Sequence, residues 1–142
     1  MNEERIKQYD LMYINMAIEA SKMSQAIRNK VGCIIVKDHN IIAYGYNGMP
    51  AGMSNDCEEI DDQGNIVTKK EVIHSETNAI CKAAAQGLST KDASLYITLM
   101  PCLQCSLLII QSKIKKVFYR EEYRDLSGMQ LLQNVGILVE KI

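Results

Sequence analysis

No stretch of these 142 residues approaches the roughly 20 consecutive apolar side chains that a bilayer-spanning helix needs. Charge of one sign is missing as well. Sixteen basic residues against seventeen acidic leave a net charge of −1, whereas a groove that tracks many phosphates carries a basic excess. No extended nucleic-acid footprint and no membrane association are therefore expected, although a pocket for one phosphate is compatible with that balance. Proline occurs only twice, and no repeat, linker or low-complexity tract interrupts the chain. That excludes a disordered or scaffold-like polymer. The first ten residues, MNEERIKQYD, hold no apolar export segment, so the cytoplasm (of a host cell, for a phage-encoded chain) is the expected compartment. Cysteine occurs five times, an odd number without the spacing of a secreted disulfide framework. In a reducing compartment, paired cysteines read as metal or redox groups, and Cys102 and Cys105 form the pair.

What is present, 47% hydrophobic and 23% charged residues, suffices for one domain over residues 1–142 with its own core. Residues 5–26 place Tyr9, Met12, Tyr13, Met16, Ala20 and Met23 at steps of three and four. That pattern predicts a long helix with its methionine stripe in the core. Residues 31–36 and 41–46, separated by KDHN, predict an antiparallel hairpin, with His39 a solvated turn residue. Residues 48–72 are irregular and contain Glu58, Glu59, Asp61 and Asp62; an insertion of this length is expected to cover or build a site. A helix over 74–86 with Gly87 as its stop and a strand at 94–99 come next. An apolar helix over 102–112, expected to be buried on more than one side, leads to a strand at 116–120. Asp125 or Ser127 caps a helix running to Asn134, and a strand follows at 136–141. After the hairpin, helices and strands alternate, which predicts an α/β protein with a mostly parallel sheet and helices on both faces.

Two short motifs carry chemistry: His74-Ser75-Glu76 and Pro101-Cys102-Leu103-Gln104-Cys105. Cysteines three apart at a helix start lie on one face and can share a metal, and the helix N-terminus favours their thiolates. One imidazole and two thiolates make three protein ligands of the kind zinc prefers, leaving a fourth tetrahedral position open, as catalytic sites do. Glu76 then suits a proton carrier. Positions i and i+2 diverge by about 200° within a regular helix. His74 and Glu76 therefore converge only if the helix begins at His74 or Ser75. The two motifs together match the zinc-deaminase signature. Cys33 and Cys81 read as small buried hydrophobes.

On these motifs, and on KVGCIIVKDHNIIAYGYNGMPAG (30–52), HSETNAI (74–80), YITLMPCLQC (96–105), Tyr119, Tyr123 and GILVE, the chain resembles the cytidine/deoxycytidylate deaminase superfamily. Within it, the resemblance is to the deoxycytidylate (dCMP) deaminases, in compact phage or bacterial form. That resemblance implies a three-layer α-β-α cytidine deaminase-like fold with a five-stranded mixed sheet. It implies one catalytic Zn²⁺ on His74, Cys102 and Cys105, with Glu76 as proton shuttle in the hydrolysis of dCMP to dUMP and ammonia, a source of dUMP for thymidylate synthesis. Asn47 would meet the deoxyribose, Ser24, Arg28 and Asn29 the 5′-phosphate side, Ser75 the base through its backbone N–H, and Tyr123 the base or phosphate. Ser75 stands where alanine is usual, a change that a backbone contact tolerates. With only two histidines in the chain, a second, structural zinc is not expected. The resemblance further implies a homo-oligomer, a hexamer, activated by dCTP and inhibited by dTTP. Mg²⁺ would accompany the triphosphate, and Gly45, Tyr46 and Gly48, together with the acidic insertion, would lie in the regulatory site. Two alternatives stand beside it. A tRNA adenosine deaminase shares the zinc chemistry, but the near-neutral charge, the long insertion and the lack of a basic C-terminal helix speak against it. A non-enzymatic zinc module would have no need of Glu76.

Overall fold

The computed structural model describes residues 1–142. In chain order the elements are α1 (Glu3–Ser21), β1 (Gly32–Lys37), β2 (Asn40–Tyr46), β3 (Glu58–Ile60), β4 (Ile66–Thr68) and α2 (Ser75–Ala85). Then come β5 (Ser94–Leu99), α3 (Leu103–Gln111), β6 (Lys116–Glu121), α4 (Ser127–Asn134) and β7 (Leu138–Lys141). Five strands make one sheet in the order β2-β1-β5-β6-β7, and β3 and β4 make a separate two-stranded one. β1 runs antiparallel to β2 and to β5, whereas β5–β6 and β6–β7 are parallel. The sheet is therefore mixed, as the resemblance implies, and not mostly parallel as the helix–strand alternation suggested, because β1 lies between β2 and β5 and runs antiparallel to both. The β1–β2 hairpin closes through Asp38 and His39, both at positive φ, the geometry that lets a two-residue turn follow the twist of its strands.

Alternation along the strands sorts two cores. Cys33, Ile35, Leu95, Ile97, Val117 and Tyr119 point one way and pack with Ala79 and Ala83 of α2, Ile109 of α3 and Leu132 of α4. Ile34, Val36, Tyr96 and Phe118 point the other way and pack with Tyr13, Ile14 and Ala17 of α1. Helices thus cover both faces, three on one side and one on the other. No helix is long and apolar enough to cross a membrane.

Four further expectations need correction. The methionine stripe is not core: Met12, Met16 and Met23 are 44%, 38% and 60% exposed. α1 buries Tyr13, Ile14 and Ala17 instead. Met16 lies two residues from Ile14, about 200° around the helix, so the stripe chosen from spacing straddles the true face. α3 is buried on one side only, through Cys105, Ser106 and Ile109, and Leu103, Leu107 and Leu108 reach solvent. Cys81 is exposed, because it stands two residues from the buried Ala79 and so on the opposite side of α2. The insertion is not irregular throughout but contains the β3–β4 hairpin. Its three-residue strands, Glu58–Ile60 and Ile66–Thr68, are too short to carry an alternation that can be read. The hairpin is shaped at its tip by Asp61, whose Oδ1 accepts from the N–H groups of Gln63 and Asn65.

Candidate active site

β1 pairs Cys33 with Gly45 of β2 and with Ile97 of β5. The start of β1 and the ends of β2 and β5 therefore share one edge of the sheet, and both motifs come to that edge. His74 and Cys102 are each the N-cap of the helix that follows, with extended backbones (φ −68°, ψ 157° and φ −75°, ψ 172°). An N-cap side chain ordinarily accepts from an N–H of the first turn. Neither of these does; both turn toward each other instead. α2 begins at Ser75, as the convergence of His74 and Glu76 requires.

Nδ1 of His74 lies 3.3 Å from Cys105 Sγ and 3.6 Å from Cys102 Sγ, and the three donor atoms all fall within 4.8 Å of one another. Zinc bonds of about 2.3 Å to sulfur and about 2.0 Å to nitrogen, meeting at the tetrahedral angle, would separate S and N by about 3.5 Å. The donors stand at zinc spacing, and imidazole with two thiols is a zinc ligand set. Hydrogen bonds from Cys105 and His74 hold the Cys102 thiol well below the usual range. Cys105, hydrogen-bonded to Cys102 and buried, is pushed up, and the bond to Cys102 raises His74. The protein alone thus favours one thiolate, and a dication lets both ionise.

Glu76 is 3% exposed. Burial raises its carboxyl, while its own backbone N–H and His74 act the other way. A buried carboxyl moved toward neutrality is suited to carrying protons. Ser75, fully buried, donates its hydroxyl to Glu76 Oε1 at 3.4 Å.

Several supporting residues carry no motif. Thr77 Oγ1 lies 3.6 Å from Cys105 Sγ, and the Cys33 thiol donates to the Ser75 carbonyl at 3.2 Å. A Cβ on Gly45 would lie 2.2 Å from that same carbonyl, and one on Gly128 would lie 2.5 Å from the Pro101 carbonyl oxygen. β2 and the start of α4 therefore rest directly on the two ligand-bearing turns. Gly128→Val is expected to push the Pro101–Cys102 turn aside and leave the folded protein with substoichiometric zinc. Elemental analysis checks this, and full zinc loading would contradict it.

The expected substrate residues occupy the same edge, in the segment between α1 and β1 and around the end of β2. Ser24 is 2% exposed, and its hydroxyl donates to the Asn47 carbonyl at 2.8 Å and accepts from Ala26 N–H at 3.2 Å. Asn47 grips the same segment: its Oδ1 accepts from Val31 N–H at 2.9 Å and its Nδ2 donates to the Asn29 carbonyl at 2.7 Å. Arg28 and Asn29 are exposed. Tyr123, just past β6, packs partly buried on the larger core. The Tyr46 carbonyl accepts from Asn78 Nδ2 at 2.9 Å, and Gly48 bridges to Ile73, the neighbour of His74. Gly45, Tyr46 and Gly48 thus lie along α2 and the approach to it.

Fold and site together define a zinc-binding domain with a buried carboxyl beside its metal ligands. Residues 7–121 match the model of the cytidine and deoxycytidylate deaminase zinc-binding region. The chain belongs to the cytidine and deoxycytidylate deaminase family. It is 34% identical to the deoxycytidylate deaminase of Saccharomyces cerevisiae over 94% of its own length but 44% of the yeast protein, so it spans less than half of that relative. The deoxycytidylate deaminase of Enterobacteria phage T4 is 33% identical, with 89% of this chain and 86% of the phage protein aligned. The dCMP deaminase of cyanophage S-TIM5, solved in complex with dCMP and dUMP, superposes with a TM-score of 0.88 at 40% identity. That match covers 100% of this chain and 99% of the cyanophage chain.

Proposed function

We propose that residues 1–142 form one deaminase domain that converts dCMP and water to dUMP and ammonia. The observation that carries this is the buried Glu76 carboxyl beside three donors at zinc spacing. The likeness to a cyanophage enzyme solved with dCMP and dUMP supports the choice of base and sugar. His74, Cys102 and Cys105 would hold zinc, which supplies Lewis acidity that brings the pKa of a water molecule toward neutrality. Glu76 takes a proton from the attacking water and gives it to N3 of the cytosine. It then carries the second proton to the amino group, which leaves C4 as ammonia. The Ser75 N–H, at the first position of α2, has no partner within the helix and holds the base. Arg28 meets the 5′-phosphate with its forked guanidinium, aided by Asn29. Asn47 reaches the deoxyribose through the acceptor and N–H that its backbone contacts leave free. Tyr123 closes the pocket on the base or phosphate side, and Ser24 acts by holding the segment in place.

The same reading makes the enzyme a cytoplasmic homo-oligomer, a hexamer, and the exposed Leu103, Leu107 and Leu108 of α3 support an association surface. It makes dCTP an activator and dTTP an inhibitor, with Mg²⁺ on the triphosphate. The contact of Gly45, Tyr46 and Gly48 with α2 and its approach supports a regulatory site there, since a ligand on them would bear on His74. The test is a steady-state assay of zinc-loaded protein on dCMP, deoxycytidine and dCTP, with and without dTTP, alongside a tRNA anticodon stem-loop. Preferred conversion of dCMP with equimolar ammonia is expected. Deamination of the RNA instead, or no dUMP, would overturn the proposal.

A further inference from the structure

The insertion between β2 and α2 takes no part in the chemistry above, yet it is tied to the substrate edge at defined points. The segment joining α1 to β1 has no helix or strand of its own from residue 22 to residue 31, and beyond Lys22, which pairs with Glu19 of α1, it carries the exposed cations Arg28 and Lys30. Side chains must hold such a segment. Ser24 and Asn47 fix its two ends. Its middle is held from the insertion: Glu58 Oε2 accepts from the N–H groups of Ile27 at 3.0 Å and Arg28 at 3.2 Å. Thr68 Oγ1 accepts from Arg28 Nη1 at 3.3 Å. Glu58 and Thr68 are paired across β3 and β4, so both contacts come from one rung of the hairpin. Behind that rung Lys69 N–H donates to the carbonyl of the buried Cys57 at 2.8 Å. The insertion is a strut that ends on Arg28.

Two successive backbone N–H groups converging on one oxygen form an anion-binding arrangement. Here the anion is the protein's own carboxylate, so those donors are not free for a ligand. Their effect is to set the backbone from which the Arg28 side chain leaves. A guanidinium held in advance loses less freedom when it meets a phosphate. We infer that Glu58, backed by Thr68, is a positioning residue for phosphate recognition, through which the insertion makes the enzyme prefer a nucleoside monophosphate to the free nucleoside. The inference rests on the reading of dCMP as substrate and Arg28 as its phosphate contact.

The experiment compares full-length, zinc-loaded wild type with Glu58→Ala, Glu58→Gln and Thr68→Val on dCMP and on deoxycytidine. Glu58→Ala is expected to raise KM for dCMP about 10-fold, the scale of two lost hydrogen bonds, with kcat nearly constant and kcat/KM for deoxycytidine unmoved. Glutamine keeps an acceptor oxygen in place and should restore KM. Thr68→Val, which suits a strand, frees only the guanidinium and should raise KM for dCMP by about threefold, as loss of a single weaker hydrogen bond does. Equal losses on both substrates would make Glu58 merely structural and overturn the inference. An unchanged KM for dCMP in the alanine variant, or a glutamine variant as impaired as alanine, would overturn it as well. Wild type that forms no dUMP removes the functional reading and this inference together. Active wild type with insensitive Glu58 variants removes this inference alone.

Discussion

Glu76→Gln is expected to lower kcat for dCMP by about 10³- to 10⁴-fold, the upper range for general acid–base catalysis, while zinc content stays at the wild-type level. Glutamine matches glutamate in shape and keeps one acceptor oxygen, but it cannot take up and release a proton. None of the three expected metal ligands is touched. The variant should also be the more stable protein before metal is added. Glu76 is buried, its desolvation is the main influence on its carboxyl, and a neutral amide escapes the cost of a buried charge. Steady-state kinetics, elemental analysis and thermal unfolding on one preparation test all three statements. A glutamine variant with wild-type kcat would remove Glu76 from proton transfer. A variant without zinc would make it a ligand.

Cys102→Ser is expected to fail in a different way, with zinc lost and activity reduced to background, a fall on the order of 10⁶-fold or more. A serine hydroxyl does not ionise near neutrality, so a charged ligand disappears and His74 and Cys105 are left to hold the metal alone. The fold should survive. Cys102 is the N-cap of α3 and makes no capping hydrogen bond, whereas serine is among the preferred N-cap residues. Unchanged or improved helical circular dichroism together with absent zinc is therefore the expected pair of results. A variant that unfolds would show that Cys102 has a structural role that the geometry does not assign to it. A variant that keeps full zinc would show that it is not a ligand.

The contrast between these variants reflects how the site is built. His74 and Cys102 occupy equivalent places, each the residue before a helix, each with its side chain turned from the helix it could cap toward the other. Cys105 follows one turn inside α3. This much was legible in the sequence because it is local: a CxxC at a helix start and a histidine two residues before a glutamate constrain where each helix begins. Ser75 as the first residue of α2 bears that out. The strand ends were legible for the same reason, since short runs of β-branched and aromatic residues mark them within a residue or two.

What escaped was determined at a distance. Gly128 matters because Pro101 lies against it, and Gly45 because Ser75 does; neither neighbour is near in sequence. Glu58 looked like one member of an acidic cluster, and only the fold brings it 31 residues back to the N–H of Ile27. The methionines of α1 illustrate the opposite error. Their spacing is helical, but which arc of the helix meets the sheet is decided by Tyr13, Ile14 and Ala17 packing on Tyr96 and Phe118. One helix covering one face needs only a narrow buried stripe, and Met12 and Met16 fall outside it. Three-residue strands such as β3 and β4 are set by the Asp61 turn and by long-range contacts rather than by pattern, so the hairpin emerged only with the fold.

The most direct test of the account is zinc K-edge X-ray absorption on the purified protein. One zinc per chain is predicted, with two sulfur neighbours at about 2.3 Å and two lighter N/O neighbours at about 2.0 Å. Three or four sulfur neighbours would contradict it, as would a protein that folds and turns over dCMP without zinc.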